Sequence, residues 1–226
     1  MSLEGIIRNF LAGNKPVPAV NKTGFTYSGL LDPRAPEQFT PNKLNFENSS
    51  LPTITPTPSP INNNFTGEIP GFSRMKLKNQ DIHNMIVESA KEHNIDPALV
   101  AGVLFQESGI KPNIEDRTGT LESGQRYRDR GIAQINDIAN PDITDEQARD
   151  PRFAIDFVAR QLAGNLEHFG GDYNRALAAY NVGRGGAKSV GPTPSSLGPR
   201  GQDYLDRVSQ NLSPELRKKY KIVTSY

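Results

Sequence analysis

The chain has 226 residues, a formal net charge of +1 and no cysteine. That length holds one ordinary domain plus an extension, and the near-neutral charge gives no global electrostatic case for nucleic acid or an anionic membrane surface. Without cysteine there are no disulfides and no thiolate metal sites, and the redox compartment stays open.

The first residues, Met-Ser-Leu-Glu-Gly-Ile-Ile-Arg-Asn-Phe-Leu-Ala-Gly, contain a short apolar stretch. It lacks a basic leader and is interrupted by Glu4, Arg8 and Asn9, so it does not read as a signal peptide. Over residues 3–11 a short amphipathic helix places Leu3, Ile6, Ile7, Phe10 and Leu11 on one face, a pattern that suits docking to another protein. Residues 14–72 are dense in Pro, Asn and Thr, as in Leu51-Pro-Thr-Ile-Thr-Pro-Thr-Pro-Ser-Pro-Ile-Asn-Asn-Asn64. Proline at this density blocks helices and central strands, and the sparse apolar residues cannot offset the ordering entropy alone. Residues 1–75 therefore read as a flexible linker or as an extended arm that becomes ordered against a partner, and the isolated aromatics favour the arm. Phe25, Tyr27, Phe39, Phe46, Phe65 and Phe72 are spaced as anchors against a partner.

From residue 76 to 226 the pattern is helical. Asn79 is a cap ahead of Ile82, Met85, Ile86 and Ala90. Asp96-Pro97 joins a cap to a proline at the first helical position. The helix it opens carries Val100, Val103 and Leu104, and at the same spacing Glu107. Asp150-Pro151 repeats the device before Phe153, Ala154, Phe157, Val158, Gln161, Leu162 and Leu166. Asp172 caps a helix with Ala176, Leu177, Ala179 and Tyr180. Leu205 and Val208 mark a further short helix, and Ser213-Pro214-Glu215 opens the last. No stretch alternates well enough for a strand, so the expected class is mainly α. The longest apolar run, residues 98–105, is far short of the roughly 20 residues that span a bilayer. His83, His93 and His168 show no metal-ligand spacing, and the expectation is no metal and no other cofactor.

Glu107 closes that apolar run. A carboxylate there is costly if charged and dry, so it is either paired or used through a raised pKa. Beyond it runs a polar loop, residues 111–130, in which acid and base alternate without a one-sign patch. Such a loop is a solvated connector or a cleft wall.

Glu107-Ser108-Gly109, Gly131-Ile-Ala-Gln-Ile135 and Ala178-Ala179-Tyr180-Asn181-Val-Gly183 resemble, in order and spacing, the three signatures of the lytic transglycosylases, in the branch related to soluble lytic transglycosylases and goose-type lysozyme. Asp96-Pro-Ala-Leu-Val-Ala-Gly-Val-Leu104, Phe169-Gly-Gly-Asp-Tyr-Asn-Arg-Ala-Leu177 and Tyr204-Leu-Asp-Arg-Val208 resemble the surrounding segments. The likeness covers roughly residues 80–210 and none of the arm. It implies a lysozyme-like helical domain acting on peptidoglycan glycan strands.

Cleaving a glycosidic bond needs an acid for the leaving oxygen. A free glutamate, with a pKa of about 4.3, is ionised at neutral pH; apolar burial raises that value, the logic long established for lysozyme's own acid. The resemblance makes Glu107 the catalytic acid at the bond between N-acetylmuramic acid and N-acetylglucosamine, and then the base for the muramoyl C6 hydroxyl, which closes a 1,6-anhydro ring. It also implies help from the substrate's N-acetyl group. Substrate contacts are expected from Ser108, Gln134, Tyr180, Asn181 and Tyr204. Each has a structural alternative: a helix-terminal Ser, a loop-capping Gln, a core Tyr, a helix-ending Asn and a second core Tyr. Gly183, Gly185 and Gly186 read as a turn and not as a phosphate loop.

Two departures stand out. Ile132-Ala133 replaces the family's usual Leu-Met, and the 111–130 loop is long and charged. A second carboxylate from Glu115, Asp116, Glu122 or Asp129 could activate water and make the enzyme a hydrolytic muramidase. A further alternative is an inactive structural or glycan-binding component. A wall-cleaving enzyme without an evident export signal, membrane span or wall-binding repeat points to delivery by a larger machine. The first expectation is a phage virion, with the arm bound to structural proteins of the tail or ejection apparatus and the enzyme acting in the bacterial wall and periplasm during genome entry. A secretion or conjugation system and a holin-released endolysin follow.

Overall fold

The computed structural model of the chain describes residues 65–121, 123–188 and 198–226. The helix read at residues 3–11, the aromatic residues Phe25, Tyr27, Phe39 and Phe46, and Glu122 lie outside them. The described part is mainly helical. In chain order it comprises α1 (Gln80–Glu92), α2 (Pro97–Ser108), β1 (Arg117–Thr120), β2 (Arg126–Arg130), β3 (Ile135–Asn136), α3 (Asp145–Arg149), α4 (Pro151–His168), α5 (Tyr173–Lys188), α6 (Gly198–Ser209) and α7 (Pro214–Lys219).

The helix starts follow the caps. Asn79 Oδ1 accepts from the backbone of Asp81 and Ile82 ahead of α1, and Asp96 accepts from Ala98 ahead of α2. Asp150, Asp172 and Ser213 do the same for α4, α5 and α7. Helix α2 ends at Gly109, whose left-handed φ of 67° reverses the chain.

Helix α2 is buried all round, not on a stripe: Ala98 through Leu104 are all inside, as are Glu107 and Ser108. It is the central strut, packed against α1, α4 and α6. Gly102 lets α6 and the residues after it come close; a Cβ there would stand 3.1 Å from Leu212 Cδ2. Helices α5 and α6 pack together and α5 also lies on α4, so two further layers flank the strut.

The expectation of no strand is overturned. Residues 117–136 form a three-stranded antiparallel sheet in the order β1-β2-β3, with Arg117 opposite Asp129 and Arg130 opposite Ile135. Its pattern was hidden because β2 buries charge where an ordinary strand buries carbon. Arg130 and Asp129 are inside, and Arg128 and Arg130 reach Asp145 on α3 at 2.6 Å and 3.0 Å. These guanidinium bonds hold the Asp145 carboxyl far below the usual carboxylate range. Arg149 completes the network by pairing with Asp145 and with Asp116.

The end of the residues read as arm belongs to the folded body. Ile69 and Phe72 sit in the hydrophobic core, and Phe72 makes an isolated bridge to Leu212 and an edge contact with Phe105, ring centres 5.9 Å apart. Phe65 packs edge-on against His83. The three glycines read as a turn lie within the span of α5, which breaks at Gly183 (φ 71°, ψ 166°) and then resumes. Few residues other than glycine tolerate that conformation. None of the described helices is long and apolar enough to cross a membrane.

Candidate active site

Glu107 stands in the last turn of α2, one residue before the helix terminus. Its side chain is only 7% exposed. Burial is the largest influence on it and pushes its pKa up to about 7. The Arg117 charge and a hydrogen bond from Tyr204 oppose that rise, and the Asp129 charge adds to it. Tyr204 on α6 donates to Glu107 Oε1 at 2.8 Å. Arg117 on β1 approaches from the other side, with Nη2 3.3 Å from both Oε2 and the Glu107 backbone carbonyl.

Arg117 also donates through Nε to Gln134 Oε1, tying the acid to the β2–β3 turn. Gln134 sits in the left-handed region (φ 51°) and its Nε2 closes the turn onto the Gly131 carbonyl at 2.8 Å. Gly131 itself has φ 65° and passes so near α3 that a Cβ would lie 2.1 Å from the Ala148 carbonyl oxygen. The loop-capping reading of Gln134 is thus realised, and the same residue also lines the cleft beside Glu107.

Tyr180 on α5 donates to the Ala133 carbonyl at 3.1 Å. Its ring lies near that of Tyr204, centres 6.5 Å apart and planes at 17°. Burial, then the Glu107 and Asp129 charges, hold its hydroxyl well above the normal tyrosine range, so it remains a donor. Asn181 is buried at the cleft wall. Tyr204 is completely buried; it reaches the acid from within the core. Ser108 does not line the cleft: its hydroxyl donates to the Leu104 carbonyl one turn back at 3.1 Å, the helix-terminal role.

The cleft is an open groove, continuous with solvent. Carboxamides dominate its polar lining, from Gln134, Asn136, Asn140, Gln161, Asn165 and Asn181, and Arg184 adds a cation. Among the described lining residues Glu107 is the one carboxylate.

Of the four acids considered as a second carboxylate, Glu122 lies outside the described residues, Glu115 is exposed and Asp116 is paired with Arg149 at 2.6 Å. Asp129 is 1% exposed and accepts from Asn136 at 2.8 Å, yet its charge is felt at both Glu107 and Tyr180. Arg117 was given no role beside the acid from sequence, and Asp129 was only one of four undistinguished candidates for a second carboxylate. Both come from alternate positions of a charged hairpin, and only the strand register selects them.

Elsewhere, Glu92, His93 and Asp156 bring one potential metal-ligand atom each within 4.8 Å of one another. His93 Nε2 is hydrogen-bonded to Asp156 at 2.6 Å and Arg160 also approaches Asp156, so two of the three residues are already engaged.

The sequence profile of the transglycosylase SLT domain matches residues 84–197, half of the chain. The chain belongs to this family. The match runs from α1 through Glu107, the sheet and the Tyr180-Asn181 helix. Two phage proteins are similar to the SLT chain. Peptidoglycan transglycosylase gp16 of Escherichia phage T7 is 30% identical over 105 residues, which is 46% of this chain and 8% of that protein. The transglycosylase of Enterobacteria phage PRD1 is 28% identical over 125 residues, 55% of this chain and 40% of that protein. The similarity therefore spans well under two thirds of either relative.

Proposed function

We propose that this SLT chain is a peptidoglycan lytic transglycosylase with Glu107 as acid and then base. The observation that carries this reading is a buried Glu107, with a pKa near neutrality, standing as the one carboxylate among the described residues of the cleft. One carboxyl suffices when the attacking oxygen belongs to the substrate. Protonated Glu107 gives its proton to the glycosidic oxygen as the bond from muramoyl C1 to that oxygen breaks. The resulting carboxylate is held by Tyr204 and Arg117. It then takes the C6 hydroxyl proton while O6 bonds to C1, which closes the 1,6-anhydro ring and restores the acid. Gln134, Tyr180 and Asn181 form the wall against which acetamido and hydroxyl groups bind.

The alternative is hydrolysis with Asp129 holding a water, favoured by the Asp129 charge being sensed at Glu107. Its burial and its bond from Asn136 favour a tuning role instead. For the setting we favour a phage particle, with the N-terminal arm bound to virion proteins and the enzyme opening the wall locally at genome entry; the two phage relatives support that choice. Turbidity clearing of purified walls by the wild type, with none by Glu107→Gln, is the expected result. Equal clearing by both proteins removes Glu107 as the acid. Detection of the chain in purified virions tests the setting.

A further inference from the structure

We infer that Arg184, oriented by Asn165 and seated over Gly164, forms a carboxylate-binding subsite in the wall of the Glu107 cleft, and that its ligand is a carboxylate carried by the glycan strand. The choice of ligand rests on the peptidoglycan reading above. The subsite itself rests on geometry.

The break at Gly183 redirects the chain, and Arg184 follows immediately. Its Nε donates to Asn165 Oδ1 at 2.9 Å. Asn165 is 2% exposed and is fixed in turn by donating Nδ2 to the Ala176 carbonyl at 3.2 Å. Across the guanidinium, Nη2 lies 2.9 Å from where a Cβ on Gly164 would stand, so that glycine is the space the group occupies. Two neighbouring residues of α4 thus hold one cation: one bonds it and the other makes room for it.

No acidic side chain pairs with Arg184 among the described residues, and Glu107, the one carboxyl among the described lining residues, is neutral in its acid form. The remaining polar lining is carboxamide and phenol, matched to the hydroxyl and acetamido groups of a neutral sugar. A fixed guanidinium that gives up water to a neutral sugar costs free energy unless an anion arrives with the ligand. With Nε engaged, the two terminal nitrogens remain to meet a planar anion, which a guanidinium does better than an ammonium. Peptidoglycan supplies such anions in two places: the lactyl carboxylate of a muramic acid without its peptide, and the free carboxylates of the stem peptide.

The test measures binding by the full chain in the Glu107→Gln background, so that cleavage does not intrude. The ligands are peptide-bearing strands, peptide-free strands, and peptide-free strands whose lactyl carboxylates are converted to amides. Arg184→Gln should weaken binding about tenfold or more, the scale of a charged hydrogen bond, only where a carboxylate is present. Gly164→Ala, which keeps the charge but crowds Nη2, should weaken the same ligands. Loss on peptide-free strands assigns the lactyl group, and loss confined to peptide-bearing strands assigns the stem. Equal loss on the amidated strands, or no loss on any, overturns the subsite. Failure of the Glu107-competent wild type to cleave walls would instead count against the peptidoglycan reading, since the binding comparison does not depend on turnover.

Discussion

The Tyr204 hydroxyl meets Glu107 Oε1 at 2.8 Å across 97 residues of sequence, inside the core and not in the cleft mouth. The bond favours the ionised carboxylate. It acts as a brake on the pKa rise that burial produces and as a hold on the rotamer of the acid. Tyr204→Phe should therefore lower wall cleavage at pH 7 by about tenfold, the scale of one lost charged hydrogen bond, and move the alkaline limb of the pH–rate profile upward. A reduced rate with an unmoved limb would leave Tyr204 as packing alone.

Arg117 offers a second, separable test. Its charge is the strongest influence opposing the burial of Glu107. Arg117→Met should raise the Glu107 pKa further and extend activity to higher pH while reducing kcat. Arg117→Lys keeps the charge but cannot span Glu107 and Gln134 together, so its limb should stay nearer that of the wild type while its rate still falls. The two pH profiles measured side by side distinguish charge from geometry.

Asp129 acts with the opposite sign. Its charge raises the Glu107 pKa, so Asp129→Asn should shift the alkaline limb downward and keep activity at pH 6 within about tenfold, less than the change general-base catalysis usually supplies. A loss of more than about a hundredfold at every pH would make Asp129 the base of a hydrolytic enzyme.

Stability should carry the same signature. The Glu107 pKa is raised on folding, so between the unfolded value and about 7 the native state binds more protons than the unfolded state. Its contribution is most favourable below the unfolded value and is lost as pH rises to about 7. Glu107→Gln removes that dependence. The variant should gain on the order of 3 kcal/mol relative to the wild type between pH 4 and pH 8, read from denaturant midpoints at the two pH values. Parallel curves would mean that Glu107 is not buried as an acid.

The helices were legible because their signals are local: Asn79, Asp96, Asp150, Asp172 and Ser213 each bond the turn that follows. Glu107 was legible because a carboxyl ending an apolar run is a local anomaly. The sheet was not, because its buried positions include Arg130 and Asp129 beside Tyr127 and Ile135, and the burial of those two charges depends on partners in α3 and β3. Arg117 was indistinguishable from Arg126, Arg128 and Arg130 until register placed it beside the acid. Ile69 and Phe72 were hidden by the Pro- and Asn-rich composition around them, although they pack against residues far along the chain. Phe72→Ala should cost about 3 kcal/mol, as for other buried phenylalanines, and thermal or denaturant unfolding checks it. A change below about 0.5 kcal/mol, the scale of an ordinary surface substitution, would return Phe72 to the arm.

The most direct test of a substrate-supplied nucleophile is the mass of the products. Peptidoglycan digested by the wild-type chain in ¹⁸O-water should yield muramoyl ends lighter by one water than reducing ends and free of the label, and Glu107→Gln should yield none. Labelled reducing ends from the wild type would contradict the account and show that water, not the C6 hydroxyl, attacks after Glu107 gives up its proton.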